Sequence, residues 1–336
     1  MELYKNHILC KFNIIGDDKM KLGTKENPRH ILGLSGGKDS TALAIYLKKT
    51  RPEIFEKCEL YFTDTGAELE ELYEYLDKLE KYLGKPIYRI KATVDPNTKK
   101  IDYKAVDGHD NSVPFDDVLY LKYNGFLPSP NARYCTRDLK IVPMEKWIGD
   151  DYCISYVGIR ADEPNREGYR ARSKNKNITA VFPFREDGLV LQDIYKLLEE
   201  SVGIPPYYKW RTRSGCYFCF YQRRVEYAIL YYLYPDLFEA AKKYETEHED
   251  GRLYTWVKDK PLDYIAENAK DIIIRYIKKQ YKKASEEEKA KFVLTLDQMI
   301  ELVEQERIRE FIDTWDLKRL HDVEGENKDG CGVCAI

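Results

Sequence analysis

The chain has 336 residues, of which 34% are charged and 43% hydrophobic, and its formal net charge is -3. This composition is ordinary for a soluble protein with a sizeable core, and it excludes a globally basic surface that would advertise nucleic-acid binding. Because no apolar stretch is long enough to span a bilayer and no cleavable leader is visible, we expect a cytoplasmic protein without a membrane partner.

The first predicted elements are a strand at residues 31–34 and a helix that continues to about Thr50, joined by a short glycine turn. Two adjacent glycines let the backbone approach a ligand closely, and the helix start adds unpaired N–H donors that favour phosphate. The spacing is not that of a Walker A loop. The predicted phosphate-binding turn consists of Ser35, Gly36, Gly37, Lys38, Asp39, Ser40 and Thr41.

Further along the chain, the hydrophobic pattern predicts strands at 58–62 and 87–94 and an amphipathic helix at 68–83 between them. This alternation predicts an α/β fold with a doubly wound, mostly parallel sheet, in which ligands bind at the carboxyl ends of the strands. Asp64 follows the second predicted strand. It is either part of a common turn or a residue that holds ribose or magnesium beside the phosphates.

The second half of the α/β region is less regular. Residues 95–130 form a polar insertion with weak helical character near 116–123, and a helix follows from a cap at Thr136 to about Trp147. A strongly apolar strand at 152–159 ends at Arg160. We place a domain boundary near residue 205, with a nucleotide-binding domain at 1–205 and a mainly helical, cysteine-containing domain at 206–336. Thr295 is predicted to begin the last long helix as part of a capping box.

Eight cysteines are present, and in the cytoplasm they are expected to be reduced or metal-bound. The pair Cys216 and Cys219 has a spacing that suits a zinc knuckle, a redox dithiol or a cluster. Cys135 and the tail pair Cys331 and Cys334 supply further ligands, with one thiol in surplus that could carry sulfur. The alternative is that the tail pair is disordered or forms an incidental disulfide.

A local nucleic-acid surface is predicted at residues 207–224, where cations and aromatic side chains alternate without an acidic residue. The alternative is that the aromatic residues form the apolar shell of a metal knuckle, while the arginines bind nucleotide phosphates or an acidic partner. The residues concerned are Lys209, Arg211, Arg213, Arg223, Arg224, Tyr207, Tyr208, Trp210, Tyr217, Phe218, Phe220 and Tyr221.

The glycine turn Ser-Gly-Gly-Lys-Asp-Ser resembles the pyrophosphate loop of the PP-loop ATP pyrophosphatases. Roughly residues 30–230 resemble the PAPS-reductase-like branch of that superfamily, and within it the ATP-dependent sulfur-transfer subunits of DNA phosphorothioation systems. Those subunits act in bacterial defence against phage and carry an iron–sulfur cluster. The motifs that carry the resemblance are the turn, Asp64-Thr65-Gly66, Arg133-Tyr134-Cys135-Thr136 with Lys140, Gly158-Ile159-Arg160 with Glu163 and Arg166, and Cys216-x-x-Cys219.

The resemblance implies an adenine nucleotide α-hydrolase-like fold that binds ATP with Mg²⁺, adenylates an acceptor, and inserts sulfur into the DNA backbone. It also implies a cysteine desulfurase as sulfur donor and further phosphorothioation subunits as partners. The implied nucleotide site consists of residues 35–41 with Asp64, Gly158, Arg160 and Arg166. The implied catalytic residues are Lys38, Asp39, Asp64, Arg160, Cys331 and Cys334. The implied ligands of a [4Fe–4S] cluster, favoured over zinc, are Cys135, Cys216, Cys219 and Cys334.

Two alternatives remain from the sequence, and the first is a PAPS or APS reductase. PAPS reductases end in Glu-Cys-Gly-Ile/Leu-His, whereas residues 329–334 here read Asp-Gly-Cys-Gly-Val-Cys without a histidine. The adjacent cysteine pair of cluster-bearing APS reductases is also missing beside Cys135. These departures count against a reductase. The second alternative is a non-catalytic nucleotide-binding subunit of a defence complex.

Overall fold

The computed structural model describes residues 23–106, 110–166, 176–247, 251 and 253–315. Its centre is a six-stranded sheet in the order β4-β3-β2-β1-β5-β6. The strands are β1 Arg29–Gly33, β2 Cys58–Asp64, β3 Ile87–Val94, β4 Ile101–Val106, β5 Cys153–Tyr156 and β6 Ile178–Val181, and a separate two-stranded sheet pairs β7 Thr246–Glu247 with β8 Leu253–Tyr254.

The sheet is mostly parallel, and only β4 runs antiparallel, against β3. β1 lies at the point where the chain reverses direction across the sheet, because it pairs with both β2 and β5. Leu32 is opposite Leu60 on one side and Tyr156 on the other. In a doubly wound sheet, ligands bind outside the carboxyl ends of the strands at such a reversal. The predicted α/β doubly wound fold is therefore confirmed.

Helices cover the sheet and continue beyond it. In the described part of the chain, no helix is long and apolar enough to cross a membrane. Short π-helical turns at Val118–Lys122 and Arg137–Ile141 and a 3₁₀ turn at Pro206–Lys209 interrupt the helical segments. The α-helices are Lys38–Thr50, Pro52–Phe55, Glu70–Leu83, Pro114–Asp117, Tyr134–Thr136, Val142–Ile148, Pro183–Glu186, Leu191–Glu199, Arg224–Leu233, Pro235–Lys242, Leu262–Glu267, Ala269–Lys283, Glu286–Lys289, Leu296–Glu304 and Ile308–Thr314.

Both faces of β1 are buried, as expected for a central parallel strand. Leu32 belongs to the larger apolar cluster, which includes Leu43 of the helix Lys38–Thr50, whereas Ile31 packs with Met144 and Ile148 on the opposite face. The larger cluster also reaches residues after 205, as far as Trp315. One continuous core therefore joins the sheet to the carboxyl-terminal helices, and the division at residue 205 stays a prediction.

Most predicted elements appear where the sequence places them, and the differences lie mainly at the sheet edges. β4 falls within the segment predicted as a polar insertion, and β6 was not predicted. β4 buries little besides Ile101, so its sequence lacks the apolar run that marks a central strand. The helix predicted from Thr136 begins at Tyr134, and Thr136 does not act as its cap. The capping box at Thr295 is confirmed, because its side chain accepts a hydrogen bond from the Gln298 N–H.

Arg29 at the start of β1 is expected to be a major stabilising side chain. Its guanidinium is buried and pairs with Glu59 at 3.0 Å and with Asp151 at 2.9 Å. Replacing it by alanine would leave two carboxylates without their partner, so Arg29→Ala should lower the free energy of unfolding by about 3 kcal/mol in urea titrations. The control is Lys270→Ala, which breaks an exposed pair with Glu306 and should cost less than about 1 kcal/mol. Equal effects would contradict this account.

Candidate functional site

The glycine turn at the end of β1 packs closely against other parts of the chain, and its first glycine has a backbone conformation that favours glycine. Gly36 has φ +69°, and a Cβ there would come within 2.8 Å of the Leu72 side chain. A Cβ on Gly37 would lie 2.7 Å from the Ser214 hydroxyl oxygen. The turn is therefore enclosed by two distant parts of the chain, and both glycines are buried.

Hydrogen bonds within the turn fix its shape. The Ser35 N–H donates to the Ser40 hydroxyl at 3.1 Å, and the Gly37 N–H contacts the Ser35 hydroxyl at 3.3 Å. The Ser40 hydroxyl also lies 3.3 Å from the Gly37 carbonyl oxygen, while Thr41 is fully buried in the first helical turn. Ser35 and Ser40 thus organise the turn itself, so its shape is set before any anion binds.

Two tyrosines from the carboxyl-terminal side of residue 205 complete the turn. The Tyr207 hydroxyl donates to the Gly36 carbonyl oxygen, and the Lys38 N–H donates to the Tyr208 hydroxyl at 3.2 Å. Both rings are buried. The sequence pattern predicts that these tyrosines belong to a nucleic-acid surface, whereas in the structure they support the glycine turn.

Asp39 connects the turn to the loop that follows β5. One carboxylate oxygen of Asp39 lies 3.2 Å from the Lys38 ammonium, and the other accepts from Arg160 at 2.8 Å. Arg160 is buried and also pairs with Asp162 at 2.9 Å. A Cβ on Gly158 would come within 2.9 Å of the Asp39 carbonyl oxygen, so the loop needs glycine there. The predicted residues of both motifs are thus brought together.

Arg166 is linked to this ion-pair network through the carboxylate of Glu163. Its guanidinium pairs with Glu163 at 2.7 Å, and Glu163 also accepts from the Arg160 N–H at 3.1 Å. Glu163 therefore holds the two predicted arginines on one loop.

Asp64 is the last residue of β2. It is buried, and β2 pairs with β1, the strand that precedes the glycine turn. Asp64 accepts from the Gly66 N–H and from the Tyr73 hydroxyl, each at 2.8 Å, and lies 3.4 Å from the Lys91 ammonium. Both of its carboxylate oxygens therefore have protein partners. The buried Lys91 was missed, because a single lysine in a strand carries no sign that it points inward.

Glu68 is a second buried carboxylate that sequence reasoning missed. The helix predicted from this residue begins at Glu70, and Glu68 instead turns inward, where the Thr65 hydroxyl contacts its oxygens at 2.8 and 2.9 Å. Burial, reinforced by the charge of Asp64, raises the pKa of Glu68 to about 7. A carboxylic acid with this pKa can exist in either protonation state at neutral pH.

The turn at Cys216–Cys219 packs against the Asp64–Glu68 segment. The Tyr217 N–H donates to the Ala67 carbonyl oxygen at 2.9 Å, and the Cys216 sulfur lies 3.2 Å from the Thr65 hydroxyl oxygen. Burial raises the pKa of the Cys216 thiol, which disfavours the thiolate. The cysteine pair is therefore part of the same site as Asp64.

The buried Arg211 side chain stabilises the cysteine turn by hydrogen bonds to its backbone. Its guanidinium donates to the carbonyl oxygens of Gly215 and Cys216 at 3.1 and 2.9 Å, and to the Gln222 side chain at 2.6 Å. Arg211 is 1% exposed, so the prediction that it contacts nucleic-acid phosphates is wrong.

The aromatic residues of the same segment divide into two groups. Tyr207, Tyr208, Trp210 and Phe218 are buried, so the prediction of an exposed stacking surface is wrong for these four. Tyr217, Phe220 and Tyr221 remain partly exposed. The aromatic pattern in the sequence did not separate these two groups.

The predicted cluster ligands are only partly within the described residues. Cys135, Cys216 and Cys219 are partly exposed, whereas Cys331 and Cys334 lie outside the described residues. Among the described residues, no three cysteine, histidine or acidic side chains form a group that could hold a metal ion. These residues do not make a cluster site by themselves, and the four-cysteine set stays a prediction.

The family of the chain follows from a comparison with known protein families. The model of the phosphoadenosine phosphosulfate reductase domain matches residues 29–232, which is more than half of the chain and includes each motif described above. The chain belongs to this family. Its members are enzymes that act on nucleotides, so the glycine turn of this PAPS reductase-like protein is a candidate nucleotide site.

Curated relatives of this PAPS reductase-like chain are uncharacterized. It is 26% identical over 242 residues to a protein of Methanocaldococcus jannaschii, in an alignment covering 68% of this chain and 44% of that protein. It is 28% identical over 259 residues to a 37.8 kDa protein of Escherichia phage 186, covering 63% of this chain and 72% of that protein. The chain thus spans less than half the length of the archaeal relative.

Among solved structures, the PAPS reductase of Candida auris in its phosphate complex matches 52% of this chain and 72% of its own. The TM-score is 0.31 and the sequence identity is 16%.

The raised pKa of Glu68 predicts a specific pH dependence of stability. The group is expected to titrate at about 7 when folded and near 4.5 when unfolded, so its contribution is fully present below pH 4.5 and is lost as pH rises to 7. Glu68→Gln should therefore stabilise the protein relative to wild type at pH 8 but not at pH 4.5, in urea titrations at both values. Replacement of the exposed Glu70 by glutamine is the control for removing one negative charge. A wild-type-like profile for Glu68→Gln would refute the buried acid.

Proposed function

We propose that the protein is an ATP pyrophosphatase that adenylates an acceptor, and that the acceptor is a DNA backbone phosphate which then receives sulfur. The observation that carries the first step is the glycine turn itself, which precedes the helix Lys38–Thr50 and whose Lys38 ammonium lies 3.2 Å from the Asp39 carboxylate. N–H donors, a helix start and a cation at one position suit a triphosphate.

The ion pairs of Asp39 explain how Lys38 is available to phosphates. Lys38 and Arg160 share the Asp39 carboxylate, one on each oxygen. If the Lys38 ammonium turns to a bound triphosphate, Asp39 keeps Arg160 as its partner, and no buried charge is left uncompensated. Lys38 then offsets the charge that develops on the departing pyrophosphate.

Magnesium would enter with the triphosphate in this proposal. Both oxygens of Asp39 and of Asp64 already have protein partners, and the described residues form no dedicated metal site. Mg²⁺ is commonly held by one or two carboxylates together with substrate phosphates and water. Asp64 is the carboxylate that we assign to this ion or to the ribose.

The proposed reaction has two displacements at phosphorus. An oxygen of the acceptor phosphate attacks the α-phosphorus of ATP, the bond to the bridging oxygen breaks, and pyrophosphate leaves with the electron pair. The outer sulfur of a persulfide, supplied by a cysteine desulfurase, then attacks the activated acceptor phosphorus and displaces AMP, which leaves a P–S–S–Cys link. A cellular thiol attacks the cysteine sulfur of this link, breaks the S–S bond and releases the phosphorothioate, and a second thiol reduces the disulfide that forms. Cys331 or Cys334 is proposed as the thiol that relays the persulfide sulfur. Arg160 and Arg166 would position the triphosphate, and other phosphorothioation subunits would present the DNA.

The [4Fe–4S] cluster is a separate proposal, with Cys135, Cys216, Cys219 and Cys334 as ligands. No step above depends on it. Iron, sulfide and zinc analysis of anaerobically purified protein tests the proposal, and a Cys219→Ser variant should lose the metal together with its visible absorbance. Full metal content in this variant would remove Cys219 from the ligand set.

A second candidate function is reduction of PAPS or APS, and the family match favours it. Such an enzyme needs a thiol reductant, releases sulfite and consumes no ATP. The segment around Cys331 reads Asp-Gly-Cys-Gly-Val-Cys and differs from the Glu-Cys-Gly-Ile/Leu-His motif of PAPS reductases, which argues against that activity. A third candidate is a nucleotide-binding subunit without catalysis.

Lys38→Ala should reduce pyrophosphate release from ATP at least about 100-fold, because the cation that faces the leaving group is lost. The measurement is coupled detection of pyrophosphate, with unfolding temperatures to show that the fold is intact. Lys49→Ala removes an exposed lysine from the same helix and should keep wild-type release. Equal release by Lys38→Ala and wild type would contradict the assigned role of Lys38.

The products distinguish the candidate functions. Wild-type protein supplied with ATP and DNA should release pyrophosphate, and it should also release AMP once a cysteine desulfurase and cysteine are added. With PAPS or APS plus dithiothreitol it should release no sulfite. Sulfite without a need for ATP would establish the reductase instead. Nucleotide binding without any product would favour the non-catalytic subunit.

A further inference from the structure

A cavity of about 360 Å³ lies next to the cysteine turn, between the residues that follow Cys219 and the segment 256–258. Its size is within the range of small-ligand sites. None of the described residues that line it is acidic. The side chains that give it its chemistry are three aromatic residues and three cations, namely Phe220, Tyr221, Trp256, Arg223, Arg224 and Lys258.

The aromatic wall of this cavity is held in place by the core. The Trp256 indole donates to the Ala241 carbonyl oxygen at 2.9 Å, and its ring stacks on the buried Phe218 with centroids 4.9 Å apart. The Phe220 and Tyr221 rings lie 4.5 Å apart and are partly exposed. Rings fixed in this way can stack on a planar ligand with little loss of side-chain entropy.

Two cationic side chains of the cavity are more exposed than its aromatic wall. Arg224 and Lys258 are exposed, and they come from separate segments of the chain. The nearby Glu226 does not offset them, because it is buried and its two oxygens accept from the backbone N–H groups of Thr212 and Arg223, at 2.8 and 3.1 Å. None of the ion pairs among the described residues involves Arg224 or Lys258, so an anion at the cavity mouth would meet positive charge.

The cavity is connected to the glycine turn through one short segment. The Tyr221 ring lies 4.7 Å from the Arg213 guanidinium, and its hydroxyl accepts from Arg133 at 3.4 Å. Arg213 precedes Ser214, the residue whose hydroxyl lies against Gly37. The same segment thus contacts the candidate nucleotide site at one end and lines the cavity at the other.

We propose that this cavity binds an unpaired nucleobase together with its phosphate. The base would stack on the Phe220 ring beside Tyr221, and the phosphate would pair with Arg224 and Lys258. A free nucleotide and a single strand share this chemistry, while a base inside a duplex does not offer its face. The role of the cavity as the acceptor site rests on the proposed function, but binding can be measured apart from it.

The test is fluorescence anisotropy of the full chain with a labelled oligothymidylate at several salt concentrations. The double variant Arg224→Gln/Lys258→Gln should bind at least tenfold more weakly. Its plot of log affinity against log salt should be shallower by about 1.4, since each lost phosphate contact on a single strand accounts for about 0.7. The matched control Arg275→Gln/Lys278→Gln removes two exposed cations from the helix Ala269–Lys283 and should bind within twofold of wild type.

A second variant tests the stacking surface without changing charge. Phe220→Leu should weaken binding at least about fivefold and leave the salt dependence unchanged, because a stacking face is lost while the phosphate contacts remain. Competition then identifies the source of the base. Displacement by thymidine monophosphate indicates a free nucleotide, and displacement only by unlabelled single strand indicates a nucleic acid. Equal binding of duplex and single strand would overturn the proposal.

The experiments distinguish failure of the cavity proposal from failure of the proposed ATP chemistry. Lys38→Ala should lose pyrophosphate release and keep oligonucleotide binding. If wild type releases no pyrophosphate but its binding depends on Phe220, Arg224 and Lys258, the cavity proposal stands and the ATP chemistry does not. If the double variant and Phe220→Leu both bind like wild type, the cavity proposal is wrong whether or not ATP is cleaved.

Discussion

The arrangement of this site depends on the close packing of other segments against three glycines, which the absence of a Cβ permits. Gly36 lies against the Leu72 side chain, Gly37 against the Ser214 hydroxyl, and Gly158 against the Asp39 carbonyl. A side chain at position 36 would require a strained positive φ, and one at position 158 would meet the Asp39 backbone. The ion pairs of Asp39 and the hydroxyl contacts of Tyr207 follow from that packing, because they bridge gaps that only glycine leaves short enough.

The sequence predicted the central part of the fold because central elements carry strong patterns. β1, β2 and β3 are apolar, and the helix Lys38–Thr50 follows a turn with a recognisable glycine pair. The edge strands β4 and β6 were missed for the opposite reason. An edge strand buries few residues and can be polar, so its sequence resembles that of a loop.

The site residues show the same limit in more detail. Gly37, Asp64 and Gly158 were predicted from separate motifs, and they lie together because parallel strands end at one edge of the sheet. Glu68 and Lys91 were missed, since a charged residue gives no sequence signal of burial when its partners are distant. Tyr207 was assigned to the surface because aromatic residues beside cations look alike in a core and at an interface.

The contact of Tyr207 with Gly36 has a consequence for how such proteins can diverge. The phosphate-binding turn takes part of its support from beyond residue 205, so the two halves are not interchangeable modules. Recombination that joined this sheet to an unrelated helical partner would leave the Gly36 carbonyl without its phenol donor. New specificities are therefore expected to arise by substitution within the carboxyl-terminal half, around the cavity, rather than by replacement of that half.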